Sequence, residues 1–169
     1  MLTRLIGAIL VTVMGLLTGM RISFKLKVRV RMLNSFYQFL NEMETKIRYQ
    51  AVAVDDLISQ AIDSGNYNNL SFLISVNKMI KSSIPFEIAW NKSIDEEDSF
   101  ISPQDIDLIK MTARFLGKSD IEGQVSSLVL QKNLVKNSID SAEKELLLKG
   151  KMYRSVCTLA GAGIGIILI

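Results

Sequence analysis

The sequence predicts an all-α protein, an antiparallel bundle of about six helices flanked by an N-terminal and a C-terminal transmembrane helix. Three observations point there. Between residues 22 and 153, apolar residues recur three and four apart, which lines them up on one face of a helix. The only two prolines, Pro85 and Pro103, stand where helices would start. Residues 5–20 and 155–169 carry no charge, and an apolar run without a polar face has nothing to present to water. The expected organisation is a membrane segment over residues 1–21, one bundle domain over 22–153, and a second membrane segment over 154–169. No Gly/Ser/Pro-rich linker divides the middle.

Both end segments are short, because crossing a hydrocarbon core of about 30 Å takes roughly 20 residues. The first lengthens if residues 1–3 enter the bilayer while Arg4 reaches back to the headgroups, and the second if Met152 and Tyr153 sit at the interface. A cleaved signal peptide is the competing account of the start. The flank argues against it: Arg21, Lys25, Lys27, Arg29 and Arg31 follow directly, and basic residues just after an apolar segment oppose its translocation. Lys149, Lys151 and Arg154 stand just before the tail segment. Both ends thus place the middle of the chain in the cytoplasm. The net charge of +3 reads as a membrane flank facing anionic lipid, with no nucleic acid partner. Gly15 with Gly19, and Gly161 with Gly165, form a GxxxG pair in each end segment, the spacing that lets helices pack closely in lipid.

Residues 22–33 alternate apolar and mostly basic side chains, which by itself is the pattern of a half-buried strand. Leu33, Phe36, Leu40, Met43 and Ile47 then continue at helical spacing, so a first helix emerging from the membrane is the simpler expectation. Residues 54–62 predict a second helix, with Asp55 and Asp56 at the positive end of its dipole and Ser64-Gly65-Asn66 as its stop. Phe72, Val76, Met79 and Ile80 define a third, up to Ser82-Ser83, and Pro85 opens a fourth that includes Ala89 and Trp90. Residues 95–98 form an acidic loop. Ser102 and Pro103 supply an N-cap and a first helical position for a fifth helix with Ile106, Ile109, Ala113 and Leu116 on its apolar face. Gly117 is placed to end it in the left-handed conformation, and Ser119 with Glu122 reads as a capping box for the sixth. Gly117, Ser119, Asp120 and Glu122 are thus expected to form a structural junction between two helices. The sixth helix keeps Val125, Leu128, Val135, Ile139, Ala142 and Leu146 on one face.

The chemistry on offer is thin. The chain has no histidine, which removes the usual general base and every histidine metal site. Cys157 is the only cysteine and lies within the tail segment. No phosphate-binding G-x-x-x-x-G-K-[ST] loop occurs; Gly117-Lys118-Ser119 lacks the upstream glycine and follows a helix. Residues 95–98 are adjacent acids that do not converge as calcium ligands do, and a solvated loop is expected. Trp90, Phe86 and Phe115 are expected to pack. The sequence therefore predicts no enzyme and no cofactor.

Lys151-Met152-Tyr153-Arg154-Ser155, followed by a small-residue-rich span that ends Ile167-Leu168-Ile169, resembles the closing signature of the stage III sporulation protein AB family. Further matches are Glu44-Thr45-Lys46-Ile47 with Tyr49, Pro85 through Ala89-Trp90, and above all Phe115-Leu116-Gly117-Lys118-Ser119-Asp120 with Gln124. The sequence departs from the family at Cys157 and Ser82-Ser83, where glycine is expected, and it lacks a proline near Arg31. The resemblance implies a bundle similar to the cytoplasmic domains of type II secretion F and type IV pilus platform proteins. It also implies a non-catalytic platform subunit in the mother-cell membrane facing the forespore, where a channel complex would join the two cells. Its implied partners are a secretion-type ATPase and other membrane subunits. Two rival functions are a lipid-binding or membrane-remodelling protein acting through the basic residues 21–31, and an enzyme using Glu42, Glu44 and lysines of the first helix.

Overall fold

The computed structural model describes residues 2–50, 52–97 and 102–168; in the two apolar ends it describes few side chains, among them those of Val13, Met14, Leu17 and Met20. The helices are α1 (Leu2–Gln50), α2 (Val54–Asp63), α3 (Phe72–Lys81), α4 (Phe86–Asp95), α5 (Pro103–Met111) and α6 (Ile121–Leu168), with a 3-10 turn at Thr112–Arg114. Among the described residues there is no strand, and the alternating stretch over 22–33 lies inside α1. The fold is all-α. The apolar ends are extensions of α1 and α6. Among the described residues no helix is long and apolar enough to cross a membrane, so the flanking spans expected from the sequence are not part of the described fold. The surroundings of Gly15, Gly19, Gly161 and Gly165 lie outside the described residues.

The chain divides into two compact units, Arg31–Ile139 and Met1–Val30 with Asp140–Ile169, and α1 and α6 contribute to both. This grouping follows contacts, whereas the sequence boundaries near residues 21 and 154 mark where apolar runs begin and end. Within Arg31–Ile139, the three- and four-residue spacing of Leu33, Phe36, Leu40, Met43 and Ile47 puts all five on the buried face of α1. Trp90 of α4 is the centre of the core. Phe39 stacks on it at 6.3 Å, Phe72 meets it edge-on at 5.2 Å and Phe86 lies 5.3 Å away. Its indole N–H donates to the Ile109 carbonyl at 3.0 Å, which ties α4 to α5. Burying an aromatic or large aliphatic side chain stabilises a fold by roughly 1.5–3 kcal/mol, so this cluster outweighs any surface contact.

Gln131 brings a polar side chain into the core with one of its two polar atoms met: its oxygen has no hydrogen-bond partner among the described residues, while its nitrogen has two. Gln131 of α6 is fully buried and its amide donates to the Leu108 carbonyl and to the Thr112 hydroxyl, fastening α6 to the end of α5. There α5 tightens into the 3-10 turn, instead of continuing as an α-helix to Leu116 as the spacing suggests. Pro103 opens α5, with the Ser102 hydroxyl accepting from the Asp105 N–H.

α3 ends in a Schellman arrangement: Ser83 N–H donates to the Ile80 carbonyl at 2.8 Å and Ile84 N–H to the Met79 carbonyl at 3.1 Å. Ser83 sits at φ +63°, a left-handed conformation that penalises a Cβ. This is the Ser82-Ser83 site at which the resemblance described above implies glycine. Ser83→Gly is therefore expected to stabilise the protein by up to about 1 kcal/mol, read as a higher denaturant midpoint.

Candidate functional site

Three helix starts, at Val54, Phe86 and Ile121, surround a groove of about 590 Å³. Its apolar lining includes Ile47, Val54, Phe86, Leu116 and Ile121, and its polar lining includes Asp55, Glu87, Lys118 and Gln124. The wall formed by residues 116–124 is held by a few specific contacts. Gly117 has φ +72°, where a side chain would be strained even though a Cβ would meet Val54 Cγ2 at an ordinary 3.7 Å. The Gln124 amide spans the loop: its oxygen accepts from the Gly117 N–H at 3.2 Å and its nitrogen donates to the Ser119 carbonyl at 2.8 Å.

The cap of α6 corrects the sequence expectation. The carboxylate of Asp120, and not the Ser119 hydroxyl, accepts from the third N–H of the helix, that of Gly123, at 3.1 Å. The helix starts one residue later than Ser119 would require, because Gln124 holds the Ser119 carbonyl within the loop. Glu122 lies exposed in the first turn, where its charge suits the helix dipole. Gly123 belongs to the same device. A Cβ there would lie 2.7 Å from the Asp120 carboxylate oxygen and 3.2 Å from the Ser119 Cβ. Asp120→Ala is expected to cost about 1 kcal/mol and Ser119→Ala well under half of that, a ranking that urea unfolding of the two variants would check.

The carboxylates of the enzyme reading have structural partners. Glu44 accepts from Lys132 of α6 and, at 2.6 Å, from Arg48. The Lys132 hydrogen bond outweighs burial and holds the Glu44 carboxyl below the usual range. Burial would raise Glu42, but hydrogen bonds from Lys46 and the Tyr67 hydroxyl prevail and lower it. The Tyr67 phenol is pushed up by its burial and by that carboxylate. In the acidic run, Asp95 pairs with Lys110, Glu96 lies 3.8 Å from Lys92, and Glu97 accepts from the Ser71 hydroxyl, while Asp98 lies outside the described residues. Among the described residues no group of three or more carboxylate or cysteine side chains is placed to hold a metal.

A family model described as stage III sporulation protein AB matches residues 4–169. The chain belongs to this family. No curated protein and no solved structure matches it. The stage III sporulation protein AB match runs through the junction and through both apolar ends with their basic flanks. In this family member Arg21, Lys25, Lys27 and Arg31 are exposed, whereas Arg29 is half-buried and donates to Glu145 at 2.7 Å. Glu145 also accepts from Lys149 at 2.7 Å. Two of the predicted flank charges therefore meet on one carboxylate within their unit, which the sequence pattern did not reveal. The side chains of Lys151 and Arg154 lie outside the described residues.

Proposed function

We propose that this member of the stage III sporulation protein AB family is a non-catalytic docking subunit of a secretion-like channel between mother cell and forespore. In this reading the apolar ends anchor it in the mother-cell membrane and the bundle lies in the cytoplasm. There it resembles the platform domains of type II secretion F and type IV pilus proteins, and couples a secretion-type ATPase to membrane partners. The observation that carries the reading is the groove at the Gly117 junction. Leu116, Gly117, Lys118 and Gln124, which carry part of the resemblance to the family, line its wall, and Gln124 supports the loop backbone at Gly117 and Ser119. Anchoring is supported by the uncharged residues 5–20 and 155–169, the basic residues beside them, and helical backbone through both.

Purification of membrane complexes from sporulating cells tests the reading. The parent chain is expected to bring down the ATPase, and Ile121→Gln, which changes a groove residue that is 45% exposed, is expected to lose it while unfolding at the parent's midpoint. Full recovery with Ile121→Gln would remove the groove from the docking reading. A reporter active outside the cytoplasm when inserted near Asn66 would overturn the topology.

A second reading, lipid binding by the basic segment, is favoured by one observation. Leu17, Met20 and Phe24 are exposed beside Arg21 and Lys27, and together they line a cavity of about 390 Å³. Binding of an isolated peptide of residues 17–31 to anionic but not neutral vesicles would support it.

A further inference from the structure

The groove's lining specifies what could fill it. Its floor is apolar, and at about 590 Å³ it holds a few side chains and not a whole helix. Among the described residues there is no strand edge for a peptide to extend, and an apolar floor between helix starts suits a helix that lays one apolar face into the groove. The rim decides the rest of the chemistry. Asp55 and Glu87 line the groove, and Asp56, Asp120 and Glu122 are exposed next to lining residues. Against these five carboxylates stand Lys118 and Arg114, with Arg48 and Lys46, on either side of Ile47, already paired to Glu44 and Glu42. Three helix starts converge here, and each carries roughly half a positive charge, about one and a half in all. That is too little to reverse the sign of the rim.

We propose that the groove takes the apolar face of an amphipathic helix whose flanks carry lysine or arginine, contributed by a partner protein; this rests on the docking reading above. Lys118 is the placeholder for the partner's cation. It pairs with Glu87, but the two side chains are 51% and 43% exposed, and an ion pair so open to water holds weakly. An arriving guanidinium or ammonium displaces Lys118 and takes Glu87, while its apolar neighbours cover Phe86 and Ile121. Rim charges of this kind act chiefly on the rate of encounter and on its salt dependence.

The test uses the full chain in an uncharged detergent and two synthetic helical peptides, with leucine at positions i, i+3, i+4 and i+7 and either lysine or glutamate elsewhere. The readout is amide hydrogen exchange over residues 52–55 and 117–124, which separates groove binding from uptake by the micelle. The lysine peptide is expected to slow exchange there, more weakly as salt is raised, and the glutamate peptide to leave it unchanged. Asp55→Asn with Glu87→Gln is expected to weaken the lysine peptide about tenfold. Lys118→Ala is expected to tighten it several-fold, a gain that a folding defect cannot imitate. Equal or stronger protection by the glutamate peptide, or weaker lysine-peptide binding in Lys118→Ala, overturns the proposal. If neither peptide protects the groove while Ile121→Gln still loses the ATPase, the partner chemistry is wrong and docking stands. If Ile121→Gln also keeps the ATPase, both fall.

Discussion

Trp90→Ala is expected to remove about 3–5 kcal/mol of stability, the range for deleting a fully buried large aromatic side chain. Trp90 is completely enclosed, and rings from α1, α3 and α4 touch it. A domain of this size is held by only about 5–15 kcal/mol in total, so the variant would stand near its unfolding threshold at physiological temperature. Trp90→Phe separates the two contributions of the side chain. It keeps most of the apolar contact and loses the hydrogen bond to the Ile109 carbonyl. That carbonyl also accepts from the Thr112 N–H and so keeps a partner. The loss from Trp90→Phe should accordingly stay at about 1–2 kcal/mol. Urea unfolding of residues 22–153, followed by circular dichroism, would rank the two. A Trp90→Phe variant as weak as Trp90→Ala would show that the hydrogen bond, and not ring packing, dominates.

The second large effect is expected at Glu44 and Lys132, whose side chains are 14% and 18% exposed and which join α1 to α6. Glu44→Ala leaves the Lys132 ammonium largely buried with only the Asn41 oxygen, 2.8 Å away, as a described partner. The expected cost is about 2 kcal/mol, below the range for a fully buried pair because both side chains keep some access to water. Replacing both, as Glu44→Leu with Lys132→Met, should cost far less than the single changes sum to, because no buried charge is left unpaired. The same pair sets a pH dependence. The carboxyl of Glu44 is held below its ordinary value of 4.5, so its contribution is complete above that value and drains away as the pH falls through the lower folded-state value. Unfolding midpoints should therefore drop more steeply on acidification below about pH 4.5 in the parent than in the doubly substituted chain.

The helical class was legible because it rests on spacing alone: Leu33 through Ile47 repeat at three and four, and a periodic face is a local property of the chain. Glycine stops were legible for a similar reason, since Gly65 and Gly117 both have positive φ where their sequence surroundings end a helix. The cap of α6 was not. Ser119 with Glu122 and Asp120 with Gly123 are both credible starts one residue apart, and the choice fell to Gln124, whose reach across the loop is a tertiary fact. Gln131 was passed over because a polar residue between Leu128 and Val135 looks like a break in an apolar face. Its partners at Leu108 and Thr112 are supplied by a different helix. Arg29 was grouped with the membrane flank since nothing nearby in sequence identifies Glu145 as its partner. The groove was hidden most completely. It is made by helices starting at residues 54, 86 and 121, and no window of the sequence contains all three.

The clamp by Gln124 also fixes the length of the chain it closes over. One side chain holds both Gly117 and Ser119, while Asp120 must stay three residues ahead of Gly123 to reach its N–H. A residue inserted between Gly117 and Asp120 would pull one of these anchors out of reach, and a deletion would drag the cap into the preceding turn. Among relatives the junction should therefore read as a segment of constant length, whatever residues surround it.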